Sequence, residues 1–234
     1  MCGRIVQSAP PHELAADFFL DRIPDLLPRY NVAPTTDIAA LLPNPQTAGN
    51  LITRLRWGLV PHWSPAAATS ARLINARSET VLTKRAFSEA FRQRRCLIPV
   101  DGFYEWQNRP DGKQPFLFRR RDKRPFALAG MWDRWEYPGG KTLNSCTILT
   151  TAANRTMRPV HHRMPVIIAR EDWVRWLRTE TDQAEALTAL LSPWQPDDLL
   201  AVPVSREVNQ PGFDEPSCLD PVWDDPAGQL NLFP

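Results

Sequence analysis

The sequence predicts a single α+β domain, rich in strand, with a mainly antiparallel, barrel-like sheet and short helices at its edges. Three observations lead there. The 234 residues suffice for one large domain with a real core, and no repeat or inter-domain linker divides them. Twenty-four prolines punctuate the chain too often for long helices. Between them, apolar and β-branched runs of strand length recur, bounded by turn residues.

In chain order, Pro10 to Leu20 reads as a short helix with Leu14 and Phe18 on one face. Tyr30-Asn31-Val32-Ala33-Pro34 is extended and ends at a turn. Asp37 to Leu42 and Asn50 to Trp57 read as strands joined through Pro43-Asn44-Pro45. Gly58-Leu59-Val60-Pro61-His62-Trp63 cannot be helical, and residues 64–71 read as a loop. Leu73 to Arg77 is extended, and Ser78-Glu79-Thr80 opens a short helix. Phe87 to Arg94 is amphipathic, with its two phenylalanines four apart.

Cys96 to Val100 and Gly102 to Trp106 are strands around Asp101, and Asn108 to Gly112 is a hairpin turn. Pro115–Arg119, Phe126–Trp132, Leu143–Thr151 and Met164–Ala169 continue the sheet. Glu171 to Arg178 and Gln183 to Leu191 read as helices, and Leu199 to Val204 as a last strand. The Pro-, Asp- and Gly-rich residues from about Asp214 read as a loose end. The domain is expected to span residues 1–221, with 222–234 as a flexible tail.

Nine tryptophans argue for a folded globule. The cysteines at 2, 96, 146 and 218 match neither a zinc pattern nor a disulfide framework, which predicts a reducing compartment and no metal or other cofactor. No apolar run reaches membrane-spanning length and no leader is visible, so the expected location is the cytoplasm. The net charge of +2 is unevenly spread. Residues 181–234 hold Arg206 as their one basic side chain against ten acidic ones, leaving the rest strongly basic. That asymmetry suits a polyanion such as nucleic acid; runs such as Arg119-Arg120-Arg121 also fit a solvated surface.

Four stretches place reactive residues among apolar ones: Met1-Cys2-Gly3-Arg4, Leu73-Ile74-Asn75-Ala76-Arg77, Asp101 to Trp106, and His161-His162-Arg163-Met164-Pro165. Cys2 is small enough for an aminopeptidase to remove Met1, exposing a thiol and a free α-amine on adjacent carbons. Such an aminothiol condenses with an aldehyde, amine first, and the thiol then closes a five-membered thiazolidine. Reference pKa values of about 7.7–8.0 for the amine and about 8.5 for the thiol leave both nucleophiles available near neutral pH. By itself, Cys2 also fits a small apolar residue of a first strand. Glu105 interrupts an aromatic strand. Pleating sets it on the face of Phe103, opposite Tyr104 and Trp106, where a carboxylate can trade protons near neutrality; an edge-strand Glu facing solvent fits equally. Adjacent His161 and His162 point apart on a strand, which argues against a two-His metal site. Asn31 and Asn75 are ordinary turn formers on sequence alone.

Seven motifs in order carry a resemblance over nearly the whole domain. They are Met1-Cys2-Gly3-Arg4, Tyr30 to Pro34, Trp57-Gly58-Leu59-Val60-Pro61, Asn75-Ala76-Arg77-Ser78-Glu79-Thr80, Gly102 to Trp106, His161 to Pro165, and Pro203-Val204-Ser205. In these the chain resembles the SRAP family, the SOS-response-associated peptidases, understood as abasic-site DNA–protein crosslinking proteins. His162 stands where the family often has Asp or Asn, so the catalytic histidine is assigned to His161.

The resemblance implies a thiazolidine crosslink between Cys2 and the C1′ aldehyde of an abasic site in single-stranded DNA. It makes Cys2, Asn75, Glu105 and His161 the catalytic set. His161 would help open the sugar ring, Glu105 would position the amine and relay protons, and Asn75 would steady the intermediate. It makes Arg4, Asn31, Arg77 and Arg163 DNA contacts, with Pro61 and Trp63 as stacking or wedging residues. Trp57 and Trp106 are expected in the core. Gln229-Leu230-Asn231-Leu232-Phe233 resembles the peptide by which bacterial DNA-processing proteins dock on the replication sliding clamp; Gln229, Leu230, Leu232 and Phe233 would make that contact, and a tail packed on its own domain is the competing expectation. Two other functions fit the same residues: a cysteine peptidase using Cys2, Glu105 and His161, and a non-catalytic single-strand DNA-binding module.

Overall fold

The computed structural model describes residues 2–66, 73–137 and 139–222. Its strands are β1 (Ile5–Gln7), β2 (Arg29–Val32), β3 (Asp37–Pro43), β4 (Asn50–Trp57), β5 (Asn75–Arg77), β6 (Arg95–Val100), β7 (Gly102–Arg109), β8 (Gly112–Arg120), β9 (Phe126–Glu136), β10 (Thr142–Ala152), β11 (Arg163–Pro165), β12 (Ile167–Ile168) and β13 (Leu199–Pro203). Three short helices, α1 (Pro11–Asp17), α2 (Ser88–Gln93) and α3 (Trp173–Arg178), lie between them.

The larger sheet closes on itself. β4 pairs β3, β3 pairs β6, β6 pairs β9, β9 pairs β10, and β10 returns to β4. All these pairings are antiparallel except β10 with β4, so the sheet is the mainly antiparallel barrel that the strand pattern predicts. A second sheet, ordered β13-β8-β7-β1-β2, is antiparallel throughout. The chain passes from barrel to second sheet at Asp101, whose carboxylate accepts the Ser8 and Ala9 amides at 2.5 and 2.9 Å. Gly102 follows because a Cβ there would lie 2.8 Å from the Phe118 carbonyl oxygen. The β7–β8 hairpin pairs Arg109 with Gly112, which sits at φ 121°, a backbone that favours glycine.

Residues alternate along the barrel strands between two apolar clusters. Ile38, Leu55, Trp57, Ile98, Leu128 and Ile148 join Cys2, Ile5, Phe103, Phe116 and Phe118 of the second sheet. Leu41, Leu97, Ala129 and Leu149 pack instead with helix residues such as Leu14, Phe91, Trp173 and Trp176. Trp57 is fully buried, as expected, and its indole N–H donates to the Ile74 carbonyl at 2.9 Å.

Three expectations need correcting. Met164–Ala169 is not one strand: β11 pairs β10, then the chain switches sides so that β12 pairs β9. Residues Thr181–Leu190 wind as a 3₁₀ helix, not an α-helix. The residues after Asp214 are not loose as far as Val222. The Asp214 carboxylate accepts from Arg29 Nε at 2.7 Å and from the Tyr30 and Asn31 amides, Cys218 is buried, and the Val222 amide donates to the Pro203 carbonyl.

Candidate active site

β1 lies between β7 and β2, with Ile5 opposite Phe103. The ladder continues toward the terminus, since the Tyr104 amide donates to the Arg4 carbonyl at 2.9 Å. One antiparallel step further sets Gly3 across from Glu105. The terminal segment is thereby drawn alongside the one acidic residue of an otherwise apolar and aromatic run. Cys2 is fully buried in the cluster shared by barrel and sheet.

Asn75 arrives from the barrel. β5 runs parallel to β10 with Asn75 opposite Ile148, and its side-chain amide donates to the Cys2 carbonyl at 2.7 Å. The Asn75 Oδ1 is buried and has no hydrogen-bond partner among the described residues. This leaves an acceptor in the site.

Glu105 faces inward with Phe103, as the pleat predicts, and is 3% exposed. The solvent-facing edge position is thereby excluded, since β7 is an interior strand. His161 Nδ1 lies 4.0 Å from Glu105 Oε1, beyond hydrogen-bond length. That Nδ1 lies 3.0 Å from the Arg163 amide nitrogen and 3.1 Å from the Arg163 carbonyl oxygen, so the Arg163 backbone sets the orientation of the ring. Beside it, His162 stacks on the His161 ring at 4.4 Å between centroids. The His161 charge disfavours protonation of His162 and moves its titration down.

Burial pushes the Cys2 thiol well above its ordinary value, and the neighbouring Glu105 carboxylate adds to that. The sulfur is therefore a protonated thiol at neutral pH. This setting differs from the electropositive one that generates a resting thiolate.

Four catalytic expectations thus converge on one place. The DNA-contact expectations divide. Arg77 is exposed at the end of β5, two residues beyond Asn75 and on the same strand face. Arg163 opens β11 and flanks β10 from its other edge. Its guanidinium is spanned by both oxygens of Glu79 and also donates to the Thr150 carbonyl at 2.6 Å. Trp63 is 40% exposed on the loop after β4, with the Arg85 guanidinium 4.3 Å from its ring centre.

Arg4, Asn31 and Pro61 are placed inside. Arg4 donates to Asn31 Oδ1 at 2.6 Å and to the Val208 carbonyl at 2.8 Å, while Asn31 donates to the carbonyls of Val208, Gln210 and Phe213. Both are buried, so their polar groups fasten residues 208–213 and do not face a ligand. Pro61 is buried, which takes it out of reach of a base. Trp106, expected in the core, is only partly buried. Its indole N–H donates to Asn209 Oδ1 at 2.6 Å, and it lines an open groove of about 580 Å³ with Glu105, Asn108, Lys113, His161 and Asn209. Only the position of Trp106 next to Glu105 hinted at this wall; Asn209 comes from a distant segment that no motif marked. Gln229, Leu230, Leu232 and Phe233 lie outside the described residues, as does Met1. Among the described residues no cluster of three or more His, Cys, Asp or Glu could hold a metal ion, and no helix is long and apolar enough to cross a membrane.

Comparison with known proteins places the fold and the family. The fold superposes on a crystal structure of a Bacteroides thetaiotaomicron protein with a TM-score of 0.82, at 22% identity over 95% of this chain and 100% of that one. A Bordetella bronchiseptica structure gives a TM-score of 0.76 at 26% identity over 87% of this chain and 100% of that one. In sequence, the chain is 35% identical to the abasic site processing protein YoqW of Bacillus subtilis, covering 94% of this chain and 99% of the relative. It is 32% identical to the abasic site processing protein HMCES of Gallus gallus, covering 83% of this chain and 66% of that protein. The family model described as SOS response associated peptidase (SRAP) matches residues 1–211, and the chain belongs to that family.

Proposed function

We propose that the protein processes abasic sites in DNA by joining itself covalently to them through Cys2. The observation that carries this reading is the setting of the terminus. Cys2 is held by Asn75 next to a buried carboxylate, which has an imidazole 4.0 Å away. After removal of Met1, the Cys2 amine adds to the C1′ aldehyde of the opened sugar and the carbinolamine loses water to give an imine. The thiol then adds across the C=N bond. A carbon–sulfur bond forms, the thiol proton ends on nitrogen, and one water is lost overall. His161 supplies a proton to the ring oxygen during opening, and Glu105 takes and returns protons at the amine.

The raised thiol suits this order, because the amine attacks first and the sulfur need not be a resting thiolate. A carboxylate beside the sulfur is the wrong sign for the peptidase that the family description names. Arg77 and Arg163 are phosphate contacts on either edge of β10, and Trp63 and Trp106 are base-stacking surfaces for a single strand whose lesion must reach the groove. The acidic tail that carries Leu232 and Phe233 docks on the sliding clamp, and deleting residues 229–234 should abolish that binding.

Intact mass spectrometry after mixing with a uracil-excised oligonucleotide tests the central step. The expected product is a one-to-one adduct at the summed mass less one water. Cys2→Ser keeps the amine and should trap only a borohydride-reducible imine. A heat-stable adduct from that variant, or repeated turnover of a peptide with no DNA adduct, would overturn the scheme.

A further inference from the structure

Arg163 and Arg77 flank β10 as a pair, yet only one is open to a ligand. Arg77 is exposed and no ion pair involves it among the described residues. Arg163 is held in a two-pronged ion pair, with Nη1 2.5 Å from Glu79 Oε1 and Nη2 2.9 Å from Oε2. The same Nη2 donates to the Thr150 carbonyl, while Arg163 Nε is buried and has no hydrogen-bond partner.

Glu79 sits on the 3₁₀ turn Ser78–Thr80 that directly follows Asn75-Ala76-Arg77. The Arg163 side chain is 11% exposed and that of Glu79 50%. The carboxylate therefore covers the guanidinium from the solvent side. The hydrogen bonds from Arg163 hold Glu79 below the usual carboxylate range, so it is charged at neutral pH.

A carboxylate that engages a guanidinium through two parallel N–H···O bonds occupies the positions two phosphate oxygens would take. We propose that Glu79 is a resident stand-in for a DNA phosphate at Arg163, and that a phosphate beside the lesion must displace it. The inference rests on the DNA-binding reading above and adds a residue that sets affinity without touching the reacting atoms. Glu79 is a gate on Arg163. It lowers the hold on any single strand and leaves Arg163 open only when a strand is seated well enough to exchange one anion for another. Selectivity for a strand whose lesion is in register follows, because a misplaced phosphate cannot compete with the tethered carboxylate.

The test uses a single-stranded oligonucleotide carrying a tetrahydrofuran abasic analogue. It has no aldehyde, so binding is read without crosslinking. Glu79→Gln should bind about fivefold more tightly than wild type, the scale of one partly exposed ion pair. Its log K against log[salt] slope should steepen by about 0.7, one further phosphate contact on a single strand. Thermal melts of both proteins establish that the variant is folded. The gain must vanish when Arg163→Ala is added. A gain that survives without Arg163 is a general charge effect and overturns the proposal. So does unchanged or weaker binding by Glu79→Gln, which would make Glu79 a brace that holds Arg163 in place. If wild type binds the analogue and crosslinks a true abasic site while Glu79→Gln is unchanged, only this inference fails. If wild type does neither, the DNA reading fails with it.

Discussion

Asn75 grips Cys2 by its backbone carbonyl, at 2.7 Å, and leaves the thiol and the α-nitrogen untouched. The two atoms that do the proposed chemistry are thus positioned by a third group of the same residue. Removing the grip should cost rate far more than fold. Asn75→Ala should crosslink about a hundredfold more slowly, the scale expected when a reacting group drifts by an ångström. Single-turnover gel assays read the rate, and denaturant melts should show a loss of only about 1 kcal/mol for one hydrogen bond.

Glu105→Gln separates proton transfer from thiol ionisation. Loss of the carboxylate should slow crosslinking by about a hundred- to ten-thousand-fold. The same change removes a negative charge that holds the Cys2 proton in place, so the pH midpoint for alkylation of Cys2 should move down. Slower crosslinking with an easier-to-ionise thiol is the signature. Parallel loss of both would mean a displaced terminus.

Alkaline pH should destabilise the fold. Burial raises the titration of the Cys2, Cys96 and Cys146 thiols and of the Tyr104 hydroxyl. The folded state keeps these protons where the unfolded chain releases them. Their contribution is therefore complete below the unfolded thiol value of about 8.5 and shrinks as pH climbs beyond it. Melting temperature in reducing buffer should hold from pH 7 to about 8.5 and fall thereafter; a flat profile to pH 10 would contradict this.

Two arginines should part company. Arg77→Ala should leave stability nearly unchanged and flatten the salt dependence of single-strand binding by about 0.7. Arg4→Ala strands the Asn31 acceptor and loosens the Val208 segment, for a loss of about 2 kcal/mol with no change in salt slope. Chemical denaturation and binding titrations against sodium chloride distinguish them.

Most strands are legible in local signals, and the meeting of Cys2, Asn75, Glu105 and His161 in one place is legible in the family resemblance. Alternation exposed the inward face of Glu105, and the short strand Asn75–Arg77 lay between a loop and a turn. What stayed hidden is long-range. Arg4 and Asn31 read as ligand contacts because motif membership cannot tell a side chain spent on residues 208–213 from one facing outward. Trp106 read as core because its partner Asn209 is 103 positions away. The stretch from Asp214 to Val222 reads as loose because a run of Pro and Asp does not disclose that Asp214 ties itself to Arg29. The β11–β12 switch was missed since a strand that changes neighbours keeps one continuous apolar pattern.

The tie between Asp214 and Arg29 joins residues 185 positions apart, and β1 finds β7 only after nearly half the chain has been made. Such high contact order postpones folding of the terminus until translation is almost complete. A nascent chain therefore emerges with Cys2 and the strand that follows it unsheltered. Truncation before β13 should leave β8 as an unpaired edge, and truncation before Asp214 should free β2 from its anchor, so either should yield an aggregation-prone protein.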